Sequence, residues 1–233
     1  MQKQEQIVNM FNEIAPSYDK ANKILSFGID ARWRASAVKS AINFLDLNKN
    51  LTLVDVACGT GDMCELLKKI PNAKVIGIDP SEGMLSIAKK RFDDVDFKIG
   101  FANNLPLDDS SVDLITISYG FRNVVEKEAA LKEFKRVLKP NATLLVLEFF
   151  RREKGGFVAF CRDFYLKNIL PIIGGMVSKN KAAYEYLPNS IDDFYSNDEF
   201  KEKLKEYGFS LKHFKSFSCG VSSLFIVSND VSN

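Results

Sequence analysis

A short, mostly apolar run at residues 51–54 ends in a carboxylate, Asp55, and passes at once into Val56-Ala57-Cys58-Gly59-Thr60-Gly61-Asp62. A buried strand that stops at an acid and enters a tight glycine-containing turn leaves few folds open. A second apolar run, 75–78, ends in Asp79, 24 positions after Asp55. Two such strand ends beside one another predict a site for a nucleoside-bearing ligand. Asp79 stands where an acid can accept hydrogen bonds from both hydroxyls of a ribose.

The rest of the chain repeats the same alternation. Further apolar runs lie at 95–99, 112–117 and 143–149, and helical periodicity falls between them at 31–45, 65–69, 81–91 and 127–137. Short buried strands alternating with helices imply a mostly parallel α/β sheet. Residues 1–30 have a helical character that Pro16 and Gly28 are expected to break. Pro140 is expected to close the 127–137 helix in a turn. Near the end, a helix at 198–207 precedes two last strands, 211–217 and 223–227, joined at Cys219-Gly220. Residues 157–177 interrupt the rhythm with an aromatic, branched and helical stretch, followed by a helical piece at 182–187. The domain plan is therefore one unit over 1–233, with an amino-terminal helical cap over 1–45 and a helical insertion over 151–197.

Composition narrows the function. A formal net charge of +2 without a basic, aromatic-laced patch argues against nucleic acid. The single histidine, His213, and four scattered cysteines disfavour metal clusters and His-based triads, so no metal site is expected. The polar opening residues and the absence of 18 uninterrupted apolar residues predict no export signal and no membrane span. The expected location is cytoplasmic. Phe is frequent, at 19 residues, which suits either an aromatic core or a pocket for a large apolar substrate.

The first turn discriminates among nucleoside ligands. A dinucleotide fingerprint asks for glycine where this chain has Ala57, and it binds a pyrophosphate at the helix start. Here Asp55 and Asp62 flank that start and would repel phosphates. An adenosyl ligand carrying positive charge and no phosphate fits better. Gly59 and Gly61 allow close backbone approach, and Asp55 is expected to hold backbone amides or a cationic group.

These segments resemble class I S-adenosylmethionine-dependent methyltransferases, and more narrowly the family that C-methylates the quinone ring in menaquinone and ubiquinone biosynthesis. The resemblance rests on Phe11 through Asp19, Leu25-Ser26-Phe27-Gly28, Trp33-Arg34, Asp55 through Asp62, and Tyr119-Gly120-Phe121-Arg122-Asn123-Val124. It also rests on Arg136 through Pro140, on Leu147-Glu148-Phe149 and on Ala183-Tyr184-Glu185-Tyr186-Leu187-Pro188-Asn189-Ser190-Ile191. It implies a Rossmann-like class I methyltransferase fold, with S-adenosylmethionine contacted at Thr60, Asp79, Phe101, Ala102 and Ser118. Phe101 departs from the family, which usually has Asp or Asn there to meet the adenine amine. Packing by Phe101 on the base, or substitution by Asn103 or Asn104, would replace that contact.

The implied reaction moves a methyl group to a ring carbon of a demethylated prenyl naphthoquinol. Alternatives are a benzoquinol precursor of ubiquinone, a different ring carbon, another large apolar acceptor, or a non-catalytic scaffold in quinone biosynthesis. Arg122 and Asn123 are candidates to hold the quinol oxygens. Tyr18, Asp19 and Tyr184 are candidates to close the pocket or relay a proton. The plainer role for Arg122 is an ion pair with Asp19 or Glu148. The apolar insertion would suit a prenyl chain, with Arg162 and Lys167 toward lipid headgroups, or equally a core or homodimer surface. Peripheral contact with the inner face of the membrane follows from the first of these.

Overall fold

The computed structural model describes residues 2–151 and 181–230, with backbone alone for 181–185. The helices are α1 (Gln2–Ser26), α2 (Ile29–Ala41), α3 (Asp62–Leu67), α4 (Glu82–Arg91), α5 (Lys127–Val137), α6 (Lys181–Asp192) and α7 (Asn197–Glu206). The strands are β1 (Leu51–Val56), β2 (Ala73–Asp79), β3 (Asp96–Ile99), β4 (Val112–Ser118), β5 (Leu138–Glu148), β6 (Ser210–Phe217) and β7 (Ser222–Ser228). They form one seven-stranded sheet in the order β3-β2-β1-β4-β5-β7-β6. The first five strands run parallel, and β7 is antiparallel to both β5 and β6.

Side-chain alternation along the strands builds two cores. Val54, Val56, Ile115, Ile117, Val146 and Phe225 face α5 and α7. Leu53, Leu114, Leu145, Leu147 and Ile226 face α2, α3 and α4. The aromatic richness belongs largely to the first core, where Phe121, Phe134, Phe150, Phe194, Phe200 and Phe225 pack ring against ring. Phe157, Phe160 and Phe164, with Arg162 and Lys167, lie outside the described residues.

Two expectations from local sequence fail. Pro16 does not break α1, which runs on to Ser26. Ile14, Ala15 and Ala21 are buried against Met84 of α4, and that tertiary contact outweighs the lost hydrogen bond of the proline. Pro140 does not sit in a turn. It lies at the start of β5, beyond which Asn141 takes a left-handed φ of 61° and a bulge shifts the β4–β5 register. The α4 start is capped by Ser81, whose hydroxyl accepts from Met84 N at 3.1 Å.

Candidate active site

In this strand order the chain leaves β1 and β4 in opposite directions, and a crevice opens between them at their carboxyl ends. The loops after β1 to β5 converge there. Ala57, Gly59 and Gly61 all take positive φ, and Gly61 N donates to Cys58 O at 3.0 Å to close the turn. The facing loop after β4 presses close. A Cβ on Gly120 would stand 2.5 Å from the Ala57 Cβ, so only glycine fits.

Asp79 locks this turn to the next strand. Its Oδ2 accepts from Gly59 N at 2.9 Å and its Oδ1 from Ser81 N at 2.8 Å. Each oxygen keeps one lone pair for a ligand. Burial pushes the carboxyl up to about 6, against the opposing pull of the two amides. Asp55 lies deeper. It accepts from the Thr116 hydroxyl at 2.7 Å and from the Cys64 thiol at 3.7 Å. Of the two roles expected of it, backbone amides or a cationic group, the first is taken instead by these two side chains. Burial pushes it up to about 7. The free acceptor lone pairs of Asp79 suit a ligand that brings hydroxyl donors, and two carboxyls under one turn, once ionised, favour positive charge and oppose a pyrophosphate.

A clamp from α1 and α2 holds the outer side of the turn. The Thr60 hydroxyl donates to Asp19 Oδ1 at 2.6 Å, and Arg91 donates to Asp19 Oδ2 at 3.1 Å. Arg34 bridges Asp30 at 2.6 Å and Asp62 at 3.0 Å. Asp19 is thus fixed behind the turn and lines neither cavity described next.

Two cavities meet over the strand ends. The smaller, about 80 Å³, is bordered by Asp79, Phe101, Ala102, Ser118 and Asn123 beneath Val8 and Phe11 of α1. The larger, about 540 Å³, is mostly apolar and bordered by Trp33, Arg34, Tyr119, Arg122, Phe149 and Tyr186, with Thr60 and Asp55 at its floor. Phe11, Tyr18, Ala57, Gly59, Ser118 and Tyr119 border both and form the wall between them.

Arg122 forms the ion pair with Glu148 that its position allowed, at 2.7 Å, with Glu148 fully buried. It also donates to Tyr119 O and, through Nε, to Ser190 Oγ at 3.3 Å, and it lies 5.6 Å above the Phe149 ring. Its Nη2 makes no hydrogen bond among the described residues, and Arg122 borders the larger cavity. The Asn123 Oδ1 accepts from the Tyr186 hydroxyl at 3.2 Å. Burial pushes the phenols of Tyr18 and Tyr186 up, although a hydrogen bond with Asn22 and nearby Arg122 oppose this for Tyr18.

Phe101 is half-exposed at the edge of the smaller cavity and bridges to Asn104, while Asn103 donates its amide to Glu126 at 2.7 Å. Tyr184 lies on α6, and its side chain is outside the described part. Sequence reasoning did not single out Trp33, Arg34, Tyr119, Phe149 or Tyr186 as site residues. A signal existed for all five, because Trp33-Arg34, Tyr119, Phe149 and Tyr186 fall inside the segments that carry the family resemblance.

A family model described as the ubiE/COQ5 methyltransferase family matches residues 1–228. The "Ubiquinone/menaquinone biosynthesis C-methyltransferase UbiE" of Campylobacter jejuni subsp. jejuni (serotype O:23/36, strain 81-176) is 58% identical over 234 aligned positions, covering 97% of this chain and 98% of that one. The "Demethylmenaquinone methyltransferase" of Thermotoga maritima is 40% identical, covering 94% of each chain. Among solved structures, an S-adenosylmethionine-dependent methyltransferase of Thermotoga maritima aligns with a TM-score of 0.65 at 22% identity, over 96% of this chain and 100% of that one. One from Aquifex aeolicus aligns with a TM-score of 0.59 at 22% identity, over 82% and 88%. These two likenesses establish the shared fold.

Proposed function

The chain belongs to the ubiE/COQ5 methyltransferase family, an S-adenosylmethionine-dependent C-methyltransferase of quinone biosynthesis, and from that premise we propose that it methylates a ring carbon of a demethylated prenyl naphthoquinol, demethylmenaquinol. The observation that carries this reading is the wall shared by two unlike cavities. One is small and lies beside the Asp79 carboxylate. The other is larger, aromatic and mostly apolar. A transfer between two bound molecules requires such a junction.

On this reading the smaller cavity takes the adenosyl end of the donor. Asp79 accepts from the ribose hydroxyls with the lone pairs its amide partners leave free. Phe101 and Ala102 border the base. Ser118 and the Gly59–Gly61 turn face the rest, with Thr60 steadied from behind by Asp19 as a positioning residue. S-adenosylmethionine supplies an electrophilic methyl group on a sulfonium. The nearby acids Asp55 and Asp79 favour that positive charge once ionised.

The larger cavity takes the acceptor ring between Trp33, Tyr119 and Phe149. A quinol with a deprotonated hydroxyl places electron density on the neighbouring ring carbon. The free Nη2 of Arg122 stabilises that oxyanion. Asn123 borders the smaller cavity and its Oδ1 accepts from Tyr186 of the larger one, so on this reading it ties the acceptor side to the donor side at the junction where the second quinol oxygen would arrive. Tyr18 closes the wall over the reacting atoms and helps to exclude water.

The test is methyl transfer from labelled donor to demethylated naphthoquinol and benzoquinol acceptors presented in pairs. Several relatives carry both ubiquinone and menaquinone in their names, so both arms are needed. Faster transfer to the naphthoquinol supports the proposal. Preference for the benzoquinol reassigns the acceptor, and no transfer to either refutes the quinol reading.

A further inference from the structure

The turn between α1 and α2 carries the most exposed large apolar side chain of the described residues. Phe27 is 82% exposed, and Ile24 and Ile29 beside it are 40% and 38% exposed. Phe27 also takes a left-handed φ of 52°, followed by Gly28 at 71°. A bulky aromatic residue is costly in that conformation and costly in water. Nothing within the described fold recovers either cost.

The turn is nevertheless rigid. Phe27 N donates to Ile24 O at 3.3 Å, and Gly28 N donates to Ser26 Oγ at 3.0 Å. The Ser26 hydroxyl donates to Asp30 at 2.6 Å, and Asp30 pairs with Arg34, which pairs with Asp62 of the glycine turn. The tip is held in place by a chain of contacts that ends at the donor site.

Its position relative to the larger cavity gives it a use. Leu25, Ser26, Phe27 and Ile29 border that cavity, so the exposed tip is also part of its rim. Three exposed cations, Lys20, Lys23 and Arg32, surround it, and none has an ion-pair partner among the described residues. The acid on α2 nearest the tip, Asp30, is neutralised by Arg34. Apolar side chains at an apex, a collar of free cations and the mouth of an apolar cavity together match the surface of an anionic bilayer.

We propose that the α1–α2 turn is a membrane-docking tip. Phe27, Ile24 and Ile29 insert among the lipid chains, and Lys20, Lys23 and Arg32 contact the anionic headgroups. The rim of the acceptor cavity then opens into the bilayer, and a prenylated acceptor slides in without crossing water. This rests on the quinol reading for the identity of what enters, whereas docking itself does not.

The test is flotation of the full chain with phosphatidylglycerol–phosphatidylethanolamine vesicles and with phosphatidylcholine vesicles. Thermal midpoint and donor affinity verify that each variant folds. The unmodified chain is expected to float with anionic vesicles. Phe27→Asp combined with Ile24→Asp should lower partitioning at least tenfold. Combined Lys20→Glu, Lys23→Glu and Arg32→Glu should lower it at least tenfold on anionic vesicles only, since each cation near such a surface is worth about fivefold.

Ile24→Asp alone and the charge-reversed variant leave the cavity lining intact. They should keep turnover on a short-chain soluble acceptor and lose it on a long-chain acceptor held in vesicles. Equal flotation of all folded variants overturns the proposal. So does a finding that Phe27→Asp breaks a dimer without changing vesicle binding, which would make the tip a contact between copies. If no acceptor is turned over at all, the quinol reading fails while flotation still decides the docking tip.

Discussion

The two sides of the active site are built in opposite ways. The donor side is local. Asp55 through Gly61, Asp79 through Ser81 and Ser118 through Gly120 sit on strand ends whose register fixes them to within the sheet's own geometry. The acceptor side is assembled from α1, α2, α6 and the start of the loop after β5, elements separated by up to most of the chain. Sheet hydrogen bonds hold the first. Aromatic packing and one buried ion pair hold the second. The donor side should therefore depend on the helices only where α1 roofs and clamps it, and the acceptor side should fail by losing shape before it loses any chemical group.

The largest expected effect breaks the buried pair that anchors the acceptor side. Arg122→Ala leaves Glu148 as an uncompensated charge with no exposure. It should cost about 3–5 kcal/mol of stability, read by denaturant unfolding, and abolish turnover. The combined Arg122→Met, Glu148→Leu variant should recover most of that stability and none of the turnover. Recovery of turnover would remove Arg122 from the chemistry.

A smaller effect is expected where the two sides touch. Gly120→Ala places a methyl 2.5 Å from the Ala57 Cβ. It should cost about 1–3 kcal/mol as overpacking and weaken donor binding, because the glycine turn must shift. Unchanged donor affinity in calorimetry would show that the loops after β1 and β4 move independently.

Next comes Asp79. Asp79→Ala should raise the donor dissociation constant at least tenfold, about 1.4 kcal/mol. The pH dependence has a definite sign. Asp79 is held near 6 and Asp55 near 7 in the folded chain, both above the ordinary carboxyl value of 3.8. Their protonated forms therefore favour the ligand-free fold. That stability is fully present below about pH 4 and is lost as pH rises through about 6 and 7. Donor binding is expected to run the other way, because on the proposed reading the ionised Asp79 accepts from the ribose hydroxyls. Affinity should be about tenfold weaker at pH 5 than at pH 7, and Asp79→Asn should flatten that profile. A flat profile in the unmodified enzyme would contradict the assignment.

The smallest effect is expected at Tyr186→Phe, which removes one hydrogen bond to Asn123. A loss of about 1 kcal/mol should appear in kcat with KM little changed, since the bond orients a group already in place. An effect on KM alone would make Tyr186 a part of the cavity wall.

The same contrast explains what the amino-acid sequence could disclose. The strands, the glycine turn and Asp79 were legible because each is a local pattern of burial followed by a turn. Pro16 misled because the contact that rescues α1, with Met84 of α4, is invisible to a local reading. Asp55 was placed at the site by its strand end, but its real donors, Thr116 and Cys64, lie on another strand and the next helix. Tyr186 was not singled out, because helical spacing alone does not say which side chain of α6 meets Asn123. Trp33, Arg34 and Phe149 reach the cavity only through the docking of α2 on β5.

The central claim is that donor and acceptor meet across the wall of Tyr18, Ser118 and Tyr119. A crystal structure with S-adenosylhomocysteine and a demethylated naphthoquinol analogue measures it directly. The account predicts the ribose on Asp79, the sulfur at that wall, and the acceptor ring between Trp33, Tyr119 and Phe149, with its reacting carbon facing the sulfur across little more than one methyl group, about 3–4 Å. An acceptor ring bound outside the larger cavity, or a sulfur pointing away from that wall, would contradict it.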